Sequence, residues 1–498
     1  MKNHYIKKII PLVFAVAILF NLKELAAQTQ IGNTLLGTEK YDGTGDAVAM
    51  SGDGNRIIFG SNLVSKSSLL EVGEVKVYEL QSGNWIQLGS TISGTQTGEE
   101  LGTSVDINDA GTRIACSGER GVKVYDFQNG NWQLSADYSA FPEFNDAAGG
   151  ARRVRFANNG KILAVGDEGF DNALIVVYEE TNNNWVKKGS PIIGTSETFT
   201  FAITKNGNRL AIPDGFEIQF STFSYDYFTN LLIYDFEDNN WVSNHIIKLV
   251  DSTEIATSGE SDIKLSDGYD FSASGNKLVL MASNDEVVDE QGFLYTFEFE
   301  NGVWKENIPR QEISMDNPMG ATLRLSDDGA VAAVGITDDV WSEQPNYVSL
   351  FQFKNQSWQE IGTRFTGSGS DEYANNFVDI SNDGSKMIWG GKMNNPTDSL
   401  GIIKVYDYRT VLPIKENLSA KSIAVYPNPT KSQIYVSIDD ENLYKVILLD
   451  IEGRPIKTMN YLNKGMQISL DDVASGIYFL SIYDNESMRV SSKKIVKM

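Results

Sequence analysis

A tryptophan that follows an aromatic residue by seven positions recurs six times along the chain. Turn residues stand between the two members of each pair, as in Asn129-Gly130 and Asn301-Gly302. Asn-Gly between two β-prone runs is a strong hairpin signal, because a type I′ turn needs positive φ at both central residues. The constant spacing therefore predicts one strand–turn–strand unit in six copies. The pairs are Tyr78 and Trp85, Tyr125 and Trp132, Tyr178 and Trp185, Tyr234 and Trp241, Phe297 and Trp304, and Phe351 and Trp358.

A second hairpin is predicted upstream of each unit, around a turn glycine. These glycines are Gly54, Gly111, Gly160, Gly207, Gly275, Gly329 and, in a seventh copy, Gly384. They are separated by 57, 49, 47, 68, 54 and 55 residues. Four short strands in a repeat of about 50 residues are typical of a β-propeller blade. The chain is therefore predicted to be all-β, with a seven-bladed β-propeller over residues 28–412. An open array or two stacked sheets is the alternative.

The seventh copy lacks the tryptophan strand, and the missing strand is predicted at the other end of the chain. Residues 30–38 (QIGNTLLGT) match residues 87–95 (QLGSTISGT), which follow Trp85. We expect the N-terminal segment to be the outer strand of the seventh blade. That placement closes the ring and removes two open sheet edges, which otherwise invite aggregation.

The repeats weakly resemble the FG-GAP-like propeller repeats of integrin-type and bacterial surface proteins. The resemblance rests on residues 98–105 (GEELGTSV) and 376–380 (NFVDI). That family often carries calcium in an Asp-x-Asp-x-Asp-Gly loop. Here the turns 51–54 (SGDG), 326–329 (SDDG) and 381–384 (SNDG) lack the alternating ligand spacing that wraps one ion. They are predicted to be tight turns, and no cofactor or metal is expected.

The N-terminus has the features of a secretory signal peptide. Lys2, Lys7 and Lys8 precede an apolar stretch over residues 9–22, and small residues follow it. At 14 residues the stretch is shorter than the roughly 20 that span a bilayer. We expect cleavage after Ala27, with an uncleaved anchor as the alternative. The mature chain is then predicted to have no membrane span. Cleavage removes four lysines and Glu24, which changes the net charge from −24 to −27.

The C-terminal block is predicted to be a separate, half-buried all-β domain. A polar linker over residues 413–423 precedes residues 424–498, which form short alternating strands. The block contains VYPNPT at 425–430, DIEGR at 450–454 and ASGIYFL at 474–480. It closely resembles the type A C-terminal sorting domain of the Bacteroidetes type IX secretion system. The residues that match its motifs are Tyr426, Pro427, Asn428, Pro429, Gly453, Gly476 and Tyr478.

This resemblance implies a small Ig-like β-sandwich that is read by the outer-membrane translocon and commonly cleaved afterwards. The chain is then exported through the Sec pathway to the periplasm, and from there by the type IX machinery. We expect it outside a Gram-negative cell, either released or on the outer surface. An ordinary adhesive sandwich domain is the alternative.

Composition argues against several kinds of chemistry. Acidic residues outnumber basic ones 66 to 42, which argues against nucleic acid as a partner, because phosphate is bound by Lys and Arg. Cys116 is the sole cysteine, so no intrachain disulfide forms. Cleavage after Ala27 removes His4 and leaves His245 alone. No catalytic constellation is recognised, and no enzyme activity is predicted. A carboxylate pair of the glycosidase type cannot be selected by sequence among so many acids.

A set of charged residues lies five positions before the turn glycines. In order, the residues at this position are Ala49, Asp106, Arg155, Ala202, Asp270, Arg324 and Asp379. Their neighbours on both sides are apolar, so the position faces the opposite side of the strand. On the inner strand of a propeller that side lines the central channel. We expect these charged residues to form ion pairs that fix blade register, with a ligand site as the alternative. Asp106 would face Arg155 of the next blade, and Arg324 would lie between Asp270 and Asp379.

Long loops are predicted to carry the binding surface. From the turn glycine to the third-strand aromatic residue the copies span 24, 14, 18, 27, 22, 22 and 22 residues. Variable loops on a rigid scaffold commonly bind ligands, and aromatic side chains provide stacking surfaces or hot spots. The alternative is that the longest pair of strands extends and buries one face. The candidates are Phe216, Phe220, Phe223, Tyr225, Tyr227, Phe228 and Trp341.

These features predict a secreted or cell-surface binding or adhesion protein that uses the propeller as a platform for a protein or glycan ligand. A secreted polysaccharide-acting hydrolase or lyase is one alternative, and an extracellular matrix structural protein is another. The scarcity of histidine favours the binding protein, although fold alone does not decide function.

Overall fold

A computed structural model of the chain describes residues 29–144, 151, 153–167, 174–194, 200–220, 223–248, 263–284, 291–313, 322–336, 347–366, 377–392, 400–408, 423–438, 444–449, 455–462, 466–483 and 489–498. For part of these ranges, including 215–229, the backbone alone is described. The predicted signal peptide, residues 1–27, lies outside the described residues. The chain divides into two compact units, Met1–Val411 and Leu412–Met498.

The first unit consists of antiparallel β-sheets, seven of them in the part of the chain that the structure describes. Two short strands come first, β1 (Thr29–Gln30) and β2 (Leu35–Leu36). Sheet 1 has β3 (Val48–Met50), β4 (Arg56–Ser61), β5 (Glu74–Gln81), β6 (Asn84–Gln87) and β7 (Ile92–Ser93). Sheet 2 has β8 (Ser104–Ile107), β9 (Arg113–Gly118), β10 (Gly121–Gln128) and β11 (Asn131–Ala136). Two 3₁₀ turns follow, Tyr138–Ala140 and Pro142–Phe144.

The remaining sheets continue in chain order. Sheet 3 has β12 (Arg153–Ala157), the 3₁₀ turn Asn158–Gly160, β13 (Ile162–Asp167), β14 (Leu174–Thr181), β15 (Asn184–Lys187) and β16 (Ile192–Ile193). Sheet 4 has β17 (Ala202–Ile203), β18 (Arg209–Phe220), β19 (Phe223–Glu237) and β20 (Asn240–Lys248). Sheet 5 has β21 (Ile263–Phe271), β22 (Lys277–Asn284), β23 (Gln291–Glu300) and β24 (Val303–Ile313). Sheet 6 has β25 (Thr322–Leu325), β26 (Val331–Ile336), β27 (Tyr347–Lys354) and β28 (Ser357–Thr366). Sheet 7 has β29 (Phe377–Ile380), β30 (Lys386–Lys392) and β31 (Gly401–Asp407).

The outer hairpins have the turn conformation that the sequence predicts. Both central residues of each turn have positive φ, for example Asn129 at 52° and Gly130 at 80°. The same holds where neither residue is glycine, as at Asn182 and Asn183. This is the type I′ geometry, which matches the right-handed twist of the flanking strands.

The N-terminal strands complete sheet 7. Strand β1 pairs antiparallel with β31, placing Gln30 opposite Tyr406, and β2 pairs with the same strand through Leu35 and Ile403. In sheet 1 the equivalent residue, Gln87, lies opposite Tyr78. The edge of β31 is therefore covered by the segment that sequence matching had placed there.

The hydrophobic core lies between neighbouring sheets, which pack face to face. Ile58 of sheet 1 belongs to the same cluster as Ile114 of sheet 2, and both side chains are fully buried. Similar clusters fill the spaces between sheets 2 and 3, 3 and 4, 4 and 5, 5 and 6, and 7 and 1. Between sheets 6 and 7, the rings of Phe365 and Tyr406 lie 4.0 Å apart. Because each sheet packs on the next, no sheet of this ring has an independent core.

The second unit is a β-sandwich of two antiparallel sheets. One sheet has β32 (Ile423–Tyr426), β33 (Gln433–Ile438) and β36 (Met466–Ser469). The other has β34 (Tyr444–Leu449), β35 (Pro455–Leu462), β37 (Gly476–Tyr483) and β38 (Arg489–Lys497). Buried residues of both sheets, such as Ile434 and Leu480, share one core. The predicted all-β fold, with propeller repeats followed by a β-sandwich, is confirmed.

Within the described residues, no helix is long and apolar enough to cross a membrane.

Candidate functional site in the central channel

The innermost strands of the seven sheets surround a central channel. A cavity of about 120 Å³ inside it is lined by residues of all seven sheets, from Met50 of sheet 1 to Ile380 of sheet 7. In every sheet the residue at the predicted channel position pairs with the equivalent residue of the next strand, as in Asp106–Ala115, Arg155–Ala164 and Asp379–Ile388. We call this set the inner ring. Its members are Ala49, Asp106, Arg155, Ala202, Asp270, Arg324 and Asp379.

Asp106 of the inner ring links its own sheet to the next through backbone N–H groups. Its Oδ1 accepts a hydrogen bond from Ile107 N at 2.9 Å, and its Oδ2 accepts one from Phe156 N of sheet 3 at 2.6 Å. The guanidinium of Arg155, the predicted partner, makes no hydrogen bond or ion pair within the described residues.

The other two aspartates repeat the arrangement. Asp270 accepts from Phe271 N and, at 3.1 Å, from Leu325 N of sheet 6. Asp379 accepts from Met50 N of sheet 1 at 2.8 Å, which ties the last sheet to the first. Register between these sheets is thus fixed by carboxylates bound to backbone. The one ion pair of the inner ring within 4 Å, among the residues described, joins Arg324 Nε and Asp379 Oδ1 at 3.8 Å.

Burial changes the protonation equilibria of the inner ring. Burial raises the pKa of the Asp106 carboxyl to about 6, although the charge of Arg155 and the hydrogen bond from Phe156 act in the opposite direction. Burial also lowers the pKa of the Arg324 guanidinium to about 9, and the like charges of Arg155 and Arg153 lower it further. Burial acts to lower the pKa of the Arg155 guanidinium, but the charges of Asp106, Asp270 and Asp379 outweigh burial and raise it, so side chains of both signs face one another inside the channel.

A second ring of residues lines one end of the channel. Its members lie three positions after the inner ring and are Gly52, Asp109, Asn158, Lys205, Ala273, Asp327 and Asn382. Their backbones bond from sheet to sheet, with Ala273 N donating to Asp327 O, Asp327 N to Asn382 O, Asn382 N to Gly52 O, and Gly52 N to Asp109 O, at 2.8–3.0 Å. Sequence analysis missed this ring, although the same alignment on the turn glycines would have identified its positions.

Lys205 crosses the same end of the channel. Its Nζ lies 3.0 Å from Asp109 Oδ2 of sheet 2 and 2.7 Å from Asp327 Oδ2 of sheet 6. We call this end, where the tight turns meet, the turn side. The ion pairs and the backbone ring together narrow the channel there.

The opposite end opens into a larger cavity of about 320 Å³. It is lined by Asp46, Ala47, Val48, Asn62, Thr103, Ser104, Val105, Arg153, Val154, Arg155, Thr322, Arg324, Phe377 and Val378. These residues begin the inner strands or follow β4, so this end carries the long connections of the sheets. We call it the loop side. Arg155 and Arg324 line both cavities and so stand between them.

Three of the repeated tryptophans, Trp85, Trp132 and Trp241, connect neighbouring outer strands. Trp132 Nε1 donates to Leu88 O of sheet 1 at 2.8 Å, and Trp241 Nε1 donates to Lys188 O of sheet 3 at 2.7 Å. The glycine after each acceptor lies under the indole, because a Cβ at Gly89 would come within 2.9 Å of Trp132 Cδ1. The sequence marked the tryptophans as repeat positions but did not reveal this link.

A basic residue two positions after several turn glycines makes another link that sequence analysis missed. Arg56 Nη1 donates to Gly111 O of the next sheet at 2.9 Å, and Arg113 Nη1 donates to Gly160 O at 3.0 Å. Arg209 repeats the contact with Gly275 O at 2.9 Å. The Gly-x-Arg spacing was visible in the sequence and could have indicated these contacts.

The predicted aromatic loop face is described only in part. Strands β18 and β19 extend well beyond their neighbours, and their pairing continues to Phe216–Tyr227, Ile218–Tyr225 and Phe220–Phe223. Gly215 pairs with Phe228 across an irregularity in the register. Trp341 lies outside the described residues. The assignment of Phe216, Phe220, Phe223, Tyr225, Tyr227, Phe228 and Trp341 to a ligand surface stays a prediction.

The remaining reactive groups lie away from the channel. Cys116 is fully buried, and burial raises the pKa of its thiol to about 12. His245 Nε2 lies 4.0 Å from Asp235 Oδ2, and its ring contacts Phe299 edge-on. No group of three or more His, Cys, Asp or Glu side chains suited to a metal ion occurs among the residues described.

The motif residues of the second unit hold its last strand. Asn428 Oδ1 accepts from Val496 N at 2.9 Å, and Asn428 Nδ2 donates to Lys494 O at 2.5 Å. Tyr478 OH donates to Ala474 O at 2.9 Å, and Tyr426 is half exposed beside Tyr435. Pro427 and Pro429 both follow cis peptide bonds. Gly453 lies outside the described residues.

Comparison with protein families identifies this unit. Residues 424–498 match the model described as a secretion system C-terminal sorting domain. The second unit is a sorting domain. The chain is therefore a type IX secretion substrate, found outside the cell or on its surface, and the sorting domain is the part that the secretion machinery reads.

The chain is also similar to several solved structures at low sequence identity. The WD40 domain of Toxoplasma gondii coronin is 8% identical, with a TM-score of 0.46, and the match covers 77% of this chain and 88% of that one. Sqt1 of Chaetomium thermophilum is 14% identical, with a TM-score of 0.45 and coverage of 81% and 95%. The periplasmic gluconolactonase of Pseudomonas aeruginosa is 14% identical, with a TM-score of 0.40 and coverage of 64% and 84%. No curated protein matches the chain.

Proposed function

We propose that the secreted chain is a binding protein whose propeller presents a ligand site at the loop side of the channel. The chain without its signal peptide would comprise the propeller over residues 28–412, the linker 413–423 and the sorting domain. The observation that carries the proposal is the contrast between the two ends of the channel. The turn side is narrowed by backbone bonds and Lys205, whereas the loop side opens into a cavity of about 320 Å³.

The framework around this cavity is suited to binding. Asp106, Asp270 and Asp379 each tie two sheets together, so hydrogen bonds hold sheet 2 to sheet 3, sheet 5 to sheet 6 and sheet 7 to sheet 1 next to the cavity. The cavity size falls in the range of small-molecule sites, roughly 300–1,000 Å³. A preorganised wall lowers the entropic cost of binding, because few side chains must be immobilised.

An enzyme of the polysaccharide-acting kind is less well supported. A glycosidase needs one carboxyl group free to donate a proton and a second free to attack or to activate water. The three channel aspartates instead accept backbone N–H bonds. These bonds hold the three carboxyl groups against the backbone of the sheets. A structural role in an extracellular matrix would not require an open cavity.

The ligand class is tested by screening the full mature protein against glycan and polysaccharide panels while following product release. We expect saturable binding without turnover. Release of shortened saccharides would favour the hydrolase or lyase, and no binding to any glycan or protein would contradict the proposal. Once a ligand is found, alanine substitution of Tyr225, Tyr227 and Trp341 together tests whether the predicted aromatic loop face takes part.

A further inference from the structure

We propose that Arg155 and Arg324 bind an oxyanion, a carboxylate or a sulfate group, that enters the channel from the loop side. The inference rests on the proposed binding function and names the chemical class of ligand for that site. The two arginines lie between the two cavities, and few of their N–H groups have a hydrogen-bond acceptor among the residues that the structure describes.

The first argument is the hydrogen bonding of the two arginines. A guanidinium has five N–H donors in a planar fork that matches an oxyanion. Among the residues described, Arg155 uses none of them in a hydrogen bond or ion pair. Arg324 donates from Nη1 to Leu323 O at 2.8 Å, but its buried Nε has no hydrogen-bond acceptor in the described part of the chain. A buried donor without an acceptor is costly and rare, so the Arg324 Nε between the two cavities indicates a ligand, and the partly exposed guanidinium of Arg155 lines the same two cavities.

The second argument is that the neighbouring carboxylates do not supply the missing acceptors. Asp106 and Asp270 have both oxygens bonded to backbone N–H groups, including those of Phe156 and Leu325. Asp379 bonds to Met50 N and stays 3.8 Å from Arg324 Nε, beyond hydrogen-bond distance. The aspartates are held by the framework and cannot turn toward the arginines without breaking the links between sheets.

The third argument is the concentration of positive charge. Arg153, Arg155 and Arg324 all line the loop-side cavity, in a chain of strong negative net charge. Burial lowers the pKa of Arg324, and repulsion from Arg155 and Arg153 adds to the effect, whereas Asp270 and Asp379 act in the opposite direction. An anion between the three arginines would add attraction on the loop side, where those two aspartates do not line the cavity. Asp46 is the one acidic residue among the residues that line the loop-side cavity.

The walls indicate what carries the oxyanion. Val48, Val105, Val154 and Val378 form apolar surface, and Thr103, Ser104 and Thr322 add hydroxyl groups. One charged group at the narrow end, with apolar and hydroxyl surface above it, fits a compact acid of sugar size, such as a uronic acid. Inorganic sulfate shares the charged group but none of the wall contacts.

The test is calorimetric titration of the full mature protein at low ionic strength. The probes are galacturonate, inorganic sulfate and neutral galactose. We expect galacturonate to bind at least ten-fold more tightly than galactose, because hydrogen bonds to charged groups discriminate by about that factor. Sulfate should compete with galacturonate for one site. The variants Arg324→Gln and Arg155→Gln should each weaken galacturonate binding by about ten-fold or more.

The matched control is Arg364→Gln. Arg364 lies on the outer strand of the same sheet as Arg324, paired with Glu360 and partly exposed, so galacturonate affinity should not change.

Three results would each overturn the inference. They are equal galacturonate binding by wild type and both channel variants, absence of binding by both anions, and independent binding of sulfate and galacturonate. Because competition uses unmodified protein, it decides the question even if a variant does not fold. If a neutral glycan binds in the panel but neither anion binds in the calorimetric titration, the proposed function is retained and the oxyanion site is refuted.

Discussion

Trp85 Nε1 donates a hydrogen bond to the backbone carbonyl of Ile31 at 2.9 Å. Trp85 belongs to sheet 1, whereas Ile31 lies between β1 and β2, which complete sheet 7. The contact repeats the link from Trp132 to Leu88 and joins the beginning of the chain to the ring. Asn33 strengthens it, because its Oδ1 accepts from Trp85 N at 2.9 Å.

Removing the N-terminal strands should destabilise the whole first unit. Deletion of residues 28–38 uncovers the edge of β31, removes buried Leu35 and leaves Trp85 without its acceptor. We expect a fall in the thermal midpoint of several degrees or more, or aggregation, measured by calorimetry. Asn33→Ala, which removes one bond, should cost only about 1 kcal/mol. An unchanged midpoint in the deletion variant would show that these strands do not close the ring.

Gly32 should be less replaceable than another glycine with the same backbone conformation. Gly32 (φ 70°) and Gly83 (φ 82°) both lie in the left-handed region, but a Cβ at Gly32 would come within 2.6 Å of Trp85 Cδ1, and one at Gly83 would meet nothing within 4 Å. Gly83→Ala should cost roughly 1–2 kcal/mol from backbone strain alone. Gly32→Ala should cost more, about 3 kcal/mol, because the indole must move. Urea unfolding of both variants gives the comparison, and equal losses would contradict the expected packing.

Asp106 should make stability decline as pH rises. Its pKa is about 6 in the folded protein against 3.8 ordinarily, so the folded state binds the proton more tightly. The contribution of Asp106 to the free energy of unfolding is therefore greatest below pH 4 and is lost between about pH 4 and 6. The loss is at most roughly 3 kcal/mol. Asp106→Asn should consequently cost more free energy of unfolding at pH 4 than at pH 7.

The control for this prediction is Asp53. Burial acts to raise its pKa, but hydrogen bonds from Asn55 and Ser51 outweigh burial and lower it below 3.8. Its stabilisation is present above pH 3.8 and lost only at lower pH, so Asp53→Asn should have the same cost at pH 4.5 and pH 7. Denaturant unfolding across this range measures both variants. A cost of Asp106→Asn that does not vary with pH would refute the prediction.

Glu99 should be among the most sensitive positions outside the channel. This carboxylate is fully buried and accepts hydrogen bonds from Lys123 Nζ at 2.7 Å, Tyr138 OH at 2.5 Å and Thr95 N at 2.7 Å. Glu99→Gln leaves the buried ammonium of Lys123 without its counter-charge. We expect a loss of about 3–5 kcal/mol by chemical denaturation. Glu79→Gln, in the more exposed pair with Arg56, should cost about 1 kcal/mol, and a similar loss for both would contradict the argument.

Export should depend on the sorting domain. Deletion of residues 424–498 removes the unit that the secretion machinery reads, so we expect the chain to accumulate in the periplasm. Cell fractionation with detection of the propeller measures this. Asn428→Ala, which removes two bonds to β38, should reduce export in the intact chain. Normal amounts of the deletion variant in the medium would contradict the prediction.

The sequence by itself determined the repeat, the turns and the origin of the closing strand. The type I′ conformation at Asn129-Gly130 follows from residue types at two adjacent positions. The placement of residues 30–38 in sheet 7 follows from their likeness to residues 87–95. Such features are local or periodic, so a linear pattern contains them. The sorting motif was equally visible, because its residues occur in order within one short unit.

Only the tertiary structure decided which groups meet across the sheets. The sequence placed Asp106 opposite Arg155, but the carboxylate bonds to Phe156 N, one residue further along the neighbouring strand. The sequence also did not show that Arg155 and Arg324 lie between two cavities of unequal size. The packing of the sheets around the closed ring sets how far neighbouring inner strands are displaced along each other. That displacement decides whether the Asp106 carboxylate meets the Arg155 guanidinium or the Phe156 backbone. Hydrogen bonds need distances near 3 Å, and a repeat pattern sets residue order without setting such distances.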